Sequence, residues 1–306
     1  MNKSFFSKNV LIRFGLVFVV CLALLFIWVE DTPDKEEEIT VIVYYAGNGG
    51  WDSLQEGIKQ AANDFSINAN FITLREEASV AEQMEIIERE ISNGTKGILL
   101  AVSDSQNVKW ALQEKAFKVP IVAVESGMED SDIPCVAADD YAMGKRLAEE
   151  ILTDYFGKEN LKIVLNCSET KRDSVVQREL GFVDTVGERA EIVYYNEWDK
   201  KDADVIVALH KTGLLYIVEN AHAFSSGVKI YGIGGSVPIV AALDQGKVAK
   251  IVFQNEFNVG YLGTDMLIEQ IRNRKTKKLP QIDYYCVSRD ELYGTKYEQL
   301  LFTIIE

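Results

Sequence analysis

Residues 80–124 read VAEQMEIIEREISNGTKGILLAVSDSQNVKWALQEKAFKVPIVAV. Val80 to Ser92 reads as a helix, Ile98 to Val102 as a strand, Gln106 to Ala116 as a second helix and Ile121 to Val124 as a second strand. The strands are short, apolar and without strict alternation, so both faces of their sheet must be covered. Strands that alternate with helices in this way imply a parallel sheet built from right-handed crossovers.

The same rhythm extends in both directions. Upstream, Ile39 to Tyr45 is a β-branched strand, Asn48-Gly49-Gly50 breaks it, Ser53 to Phe65 has helical spacing and Asn70 to Leu74 is the next strand. Downstream, Cys135 to Ala138 is a short strand and Tyr141 to Tyr155 a helix, where the pattern restarts. Strands are expected at Lys162–Asn166, Ile192–Tyr195, Val205–Leu209, Lys229–Ile233, Lys250–Gln254 and Tyr284–Val287. Helices are expected at Ser174–Val186, Gly213–Ala223, Pro238–Gln245 and Gly260–Arg274. Two consecutive β-α sets predict two lobes of one α/β architecture. In such sheets ligands sit beyond the carboxyl ends of the strands. Those ends here are polar, glycine-bearing and sparsely basic, which suits a small polar organic ligand better than a polyphosphate.

Ahead of this domain, Phe14 to Val29 is an apolar run of about 16 residues, short for a bilayer span unless it borrows flanking residues. Lys3, Lys8 and Arg13 precede it and an acidic stretch, residues 30–38, follows. The basic flank places residues 1–13 in the cytoplasm and everything after Glu30 outside the membrane. A cleaved signal needs small residues after the run, yet it ends Phe26-Ile27-Trp28-Val29. Cys21 suggests a lipoprotein, but Phe18, Val19 and Val20 stand where small residues belong. Residues 14–29 are therefore expected to be a retained single-pass plasma-membrane anchor, with the soluble domain extracytoplasmic.

The 306 residues carry a net charge of −15, so nucleic acid is a poor partner. The four cysteines leave an odd number beyond the anchor, which is no disulfide framework, and two histidines leave little for a zinc site. Cys135, Cys167 and Cys286 sit among apolar residues and read as buried small hydrophobes. Gly232-Ile233-Gly234-Gly235 lacks the third spaced glycine of a dinucleotide loop. Nothing resembles a nucleophile elbow, a Walker loop, a metal trio or a redox cysteine pair, so no cofactor is expected. Asp139 and Asp140 are placed to cap the following helix.

Several motifs in order resemble the type I periplasmic solute-binding proteins of the ribose and galactose group. These are Tyr45 to Ala62 with its aromatic turn and Leu54–Gly57, Asn93 to Leu100, Val119 to Glu125, Ala138 to Gly144, and Arg178-Glu179-Leu180-Gly181-Phe182. The resemblance covers Ile39 to about Val287. It implies lobe one at 39–138 and 255–283, lobe two at 139–254 and 284–306, and a hinge near Ala138-Asp139, Gln254-Asn255 and Asp283-Tyr284. It also implies closure of the lobes about a ligand.

The ligand contacts it implies are Asn48, Trp51, Glu125, Ser126, Arg178, His210, Gly234 and Gln254. Asn48 and Gln254 match polar contacts, Trp51 a stacking aromatic, and Arg178 a guanidinium that forks onto ligand oxygens. Departures accompany these matches. Glu125 stands for the family's Asp, Ser126 for an Arg, His210 for an Asn and Gly234 for an Asp. The chain between Tyr195 and Val205 is also too short for the family's helix. The residues keep a second reading each. Trp51 is otherwise a rim aromatic, Glu125 a solvated strand end, Arg178 a surface partner of Glu179, His210 a satisfied half-buried imidazole and Gln254 a cap for hinge backbone.

The expected function is a non-catalytic extracytoplasmic protein that closes on a small polar ligand, a sugar by resemblance, and presents it to an ABC-type permease. Two alternatives stand beside it: an accessory protein that reports ligand to a membrane sensor kinase, and a cell-surface hydrolase.

Overall fold

The computed structural model describes residues 37–47, 50–167, 172–225, 227–274, 278–294, 297, 300 and 301. The expected anchor at 14–29 lies outside them. Among the described residues no helix is long and apolar enough to cross a membrane.

Two sheets form within the unit Glu38–Glu306. The first contains β1 (Glu37–Val43), β2 (Ile67–Thr73), β3 (Gly97–Leu100), β4 (Ile121–Val124) and β5 (Cys135–Val136), in the order β2-β1-β3-β4-β5. The second contains β6 (Leu161–Asn166), β7 (Ala190–Tyr194), β8 (Val205–Ala208), β9 (Lys229–Ile233), β10 (Lys250–Gln254) and β11 (Tyr284–Ser288), in the order β11-β10-β9-β8-β6-β7. Strands β3, β4 and β8 are buried along their whole length, as their unbroken apolar runs require. The pairs β1–β3, β3–β4, β4–β5, β6–β7, β6–β8, β8–β9 and β9–β10 are parallel. Strand β11 departs from the all-parallel expectation. It pairs antiparallel with β10, Gln254 opposite Tyr284, because the chain returns to this sheet after a passage through the other lobe.

The helices are α1 (Asp52–Phe65), α2 (Val80–Asn93), α3 (Ser105–Lys115), α4 (Asp140–Asp154), α5 (Asp173–Val186), α6 (Lys211–Glu219), α7 (Val237–Asp244) and α8 (Glu256–Ile271). Side chains before them hold the first-turn amides. Ser79 accepts from Glu82 N, Asp104 from Asn107 N, Asp139 from Ala142 N and Asn255 from Asn258 N. Asp139 therefore caps as expected, whereas Asp140 is drawn to a different partner described below. Helix α6 ends at Glu219 and a separate 3-10 turn covers Ala221–Ala223, so the expected single helix is broken there. No helix lies between Tyr194 and Val205. Tyr195 and Trp198 occupy that crossover, with Tyr216 and Phe224 against them at ring separations of 6.1 and 5.7 Å.

One helix pair in each lobe crosses at glycines. A Cβ on Gly57 of α1 would lie 2.0 Å from Phe257 O, and one on Gly260 of α8 would lie 2.2 Å from Leu54 O. In the second lobe a Cβ on Gly144 of α4 would lie 1.9 Å from Arg178 O, and one on Gly181 of α5 would lie 2.0 Å from Tyr141 O. Backbones approach to a distance that no side chain permits, which makes each lobe stiff at these crossings. Gly144→Val should lower stability by at least about 1–3 kcal/mol, the usual cost of overpacking. An unchanged urea midpoint would contradict this packing.

Candidate functional site

Polar side chains that follow the strands of one sheet meet those that follow the strands of the other. Arg178 lies at the centre of this contact. Its place on α5, one helical turn before the Gly181 crossing, buries it to 3 % exposure. A guanidinium there must be paired, and each of its three nitrogens is. Nε donates to Asp140 Oδ1 at 2.8 Å, Nη1 to Leu209 O at 3.2 Å and Nη2 to Glu125 Oε1 at 3.4 Å. Asp140 and Leu209 belong to the same lobe as Arg178; Glu125 belongs to the other. Asp140 is thus taken from helix capping by the need to neutralise Arg178. Glu179, the surface partner considered for Arg178, instead accepts from Tyr194.

Glu125 follows β4 and is buried, which removes its reading as a solvated strand end. Its φ of 68° is left-handed, a conformation that costs a non-glycine residue about 1–2 kcal/mol. Tyr44 donates to its Oε2 at 2.9 Å. Burial works to raise the Glu125 carboxyl, but Arg178, Arg172 and Lys211, with the Tyr44 hydrogen bond, outweigh it and hold the group below its ordinary value. Burial has the opposite outcome at Asp140. There it overcomes Arg178 and pushes the carboxyl up to about 7.

Arg172, at the N-cap of α5, is 1 % exposed. Its Nη2 donates to Glu77 Oε1 at 2.9 Å, and the guanidinium lies 4.3 Å from the centre of the Tyr44 ring. Its Nε and Nη1 have no hydrogen-bond partner among the described residues. Lys211, the first residue of α6, reaches the other lobe too. Nζ donates to Gly50 O and Glu256 Oε1, both at 2.9 Å, and sits 4.2 Å from the centre of the Trp51 ring. Trp51 is buried, donates from Nε1 to Tyr44 O at 2.7 Å and meets the Tyr44 ring edge-on. The ring that sequence analysis offered for stacking therefore carries a lysine on one face.

Helix α5 is also capped across the gap. Its own N-cap side chain bonds none of its amides. The hydroxyl of Ser105 accepts from Asp173 N at 2.9 Å and that of Ser126 from Ser174 N at 3.1 Å, both serines coming from the first lobe. His210 is buried and caps α6, accepting from Gly213 N at 3.2 Å through Nδ1, with Nε2 3.0 Å from Asn166 Oδ1. Burial, reinforced by Arg172 and Arg178, lowers its pKa to about 3, so the imidazole is neutral. The satisfied-imidazole reading matches this geometry.

Gln254 and Gly234 stand apart from these pairs. Gln254 accepts from Ala138 N at 3.0 Å, which ties the two chain crossings together. Gly234 has φ 148°, and a Cβ there would lie 2.8 Å from Lys211 Cγ. Asn48 lies outside the described residues. Sequence analysis singled out neither Arg172 nor Lys211, although both follow the carboxyl ends of strands, β6 and β8. Glu77 and Tyr44 carried no signal, since an acidic loop and a strand-end tyrosine are ordinary.

Glu77, Glu125, Glu256 and Asp140 each accept from a basic side chain. Among the described residues no cluster of acids, cysteines or histidines could hold a metal ion. The arrangement grips and neutralises.

A model of the periplasmic binding protein domain matches residues 39–275. The ribose import binding protein of Bacillus subtilis is 21% identical over 265 residues, covering 80% of this chain and 85% of that protein. A carbohydrate transporter solute-binding protein from Agrobacterium radiobacter, solved with D-arabinose, superposes with TM-score 0.76 at 20% identity, covering 88% of this chain and 99% of that one. A glucose-galactose binding protein from Geobacillus stearothermophilus gives TM-score 0.72 at 18% identity, covering 85% and 100%. The two-lobe α/β fold is thus the type I periplasmic binding protein fold.

The Asp140 carboxyl, ordinarily near 3.9, is raised by folding. Its contribution to stability is present in full below about pH 4 and is lost as pH rises through about 7. Asp140→Asn should therefore flatten the decline of wild-type stability between about pH 4 and 8 in urea melts. An identical slope in both proteins would contradict the assignment.

Proposed function

The chain belongs to the periplasmic binding protein domain family, and on that premise we propose that it closes its lobes on a small polar ligand of the carbohydrate class and presents it to an ABC-type importer. The observation that carries this reading is Arg172, a guanidinium buried at the lobe boundary with two N–H groups that have no partner among the described residues. A buried charged donor is ordinarily hydrogen-bonded throughout, so these two groups suit ligand oxygens. The relatives that bind ribose, arabinose, glucose and galactose support the ligand class.

Closure works by population shift. A ligand that touches both lobes stabilises the shut form, and the outer surface of that form is what a membrane partner reads. The chain passes between the sheets at Ala138–Asp139, Gln254–Asn255 and Asp283–Tyr284, and these three segments are the hinge of the proposal, with residues 39–138 and 255–283 as lobe one and 139–254 and 284–306 as lobe two. The glycine crossings keep each lobe rigid, so bending falls to the hinge. Residues 14–29 hold the domain at the membrane, on the extracytoplasmic side. Hydrolysis is not favoured, because every carboxylate of the cleft named above is already engaged by a cation, which leaves no free acid–base pair.

Monosaccharides and sugar acids titrated into the full-length chain should raise its melting temperature by mass action, equivalent to about 2.7 kcal/mol at a hundredfold excess over Kd. Arg178→Ala, which cuts the bond between lobes, should abolish the rise. Failure of every compound to move the wild-type transition would contradict the carbohydrate reading.

A further inference from the structure

Among the described residues, two of the cleft's buried N–H groups and one hydroxyl have no partner. Arg172 offers Nε–H and Nη1–H, and Ser174, also buried, offers a hydroxyl. Each carboxylate of the cleft already accepts from a cation: Glu77 and Glu256 from Arg172 and Lys211, and Glu125 and Asp140 from Arg178, with Tyr44 donating to Glu125 as well. A neutral sugar presents hydroxyls that donate as readily as they accept. In this cleft its oxygens would find the N–H groups of Arg172, while its hydroxyl hydrogens would have to share carboxylates already bonded to cations, and a buried donor left short of an acceptor is costly. A carboxylate only accepts and matches what is on offer.

The end of a helix points the same way. Arg172 and Ser174 flank the start of α5, the positive end of a helix of 14 residues. The acid in its first turn, Asp173, is engaged by Glu129 N. Three cations, Arg172, Arg178 and Lys211, lie within the cleft. They face Glu77, Glu125, Glu256 and Asp140, and burial pushes the last of these up to about 7, so it carries a proton for part of the time near neutrality.

We infer that the ligand carries a carboxylate, as a sugar acid does, and that Arg172 is the residue that selects it. This deepens the carbohydrate reading above and rests on it. Glu77 then competes with the ligand for the guanidinium, and its removal frees a further N–H.

Calorimetric titration of the full-length chain with matched pairs tests the inference: D-galactose against D-galacturonate, D-glucose against D-glucuronate, D-ribose against D-ribonate. In at least one pair the acid should bind tenfold or more tighter than the neutral sugar. Arg172→Gln should erase that preference. Glu77→Gln, which removes the charge that competes for Arg172, should tighten the acid severalfold and by more than the neutral sugar, and it serves as the second reading if Arg172→Gln melts without cooperativity. Equal or tighter binding of the neutral member in every pair, or no gain for the acid in Glu77→Gln, overturns the inference while the carbohydrate reading stands. Silence from all six compounds overturns both.

Discussion

The structure turns on a guanidinium that has no access to water. Arg178 sits in the helix that crosses its neighbour through Gly144 and Gly181, and its side chain is buried. A buried charge left unpaired costs several kcal/mol, so partners must come to it. Asp140 gives up helix capping, the Leu209 carbonyl turns in, and Glu125 is held in a left-handed conformation to reach it from the opposite lobe. The strain at Glu125 accompanies the neutralising of this cation, and the raised carboxyl of Asp140 comes from the burial that goes with it, against the pull of Arg178.

Around that centre the two lobes complete one another. Lobe one contributes acids, aromatic rings and two serine hydroxyls; lobe two contributes Arg172, Arg178, Lys211 and the open end of a helix. Ser105 and Ser126 cap that helix only while the lobes are together. Lysine lies on the Trp51 ring in the same arrangement. Opening about the proposed hinge would therefore separate opposite charges and uncap a helix in one motion, and would leave the interior of each lobe intact.

Much of the architecture was legible in the residues. Short apolar strands such as Ile98–Leu100 and Ile121–Val124 between helical stretches leave little choice but a parallel sheet, and the restart after Ala138 marks the second one. The helix after Asp139 was read to within a residue of its start because that side chain announces it, whereas the one capped by Asn255 begins at Glu256, ahead of the expected Gly260. The antiparallel β11 was not legible, since a five-residue strand carries no mark of its direction. Within the cleft, Arg178 stood out by its motif, but its partners did not. Glu125 and Asp140 are far apart in sequence from each other or from Arg178, and burial is settled by packing that no local pattern records. Arg172 was hidden for a related reason: a single arginine before a helix usually lies in solvent, and only the approach of Tyr44 and Glu77 encloses it.

The bond between Glu125 and Arg178 is the claim on which closure rests, and a double-mutant cycle measures it most directly. Glu125→Gln and Arg178→Gln, singly and together, are compared by urea unfolding of the ligand-free protein. Each single change should cost about 3–5 kcal/mol by stranding its partner, and the double change should cost clearly less than their sum. Costs that add within about 0.5 kcal/mol would mean that the two side chains do not interact across the lobes.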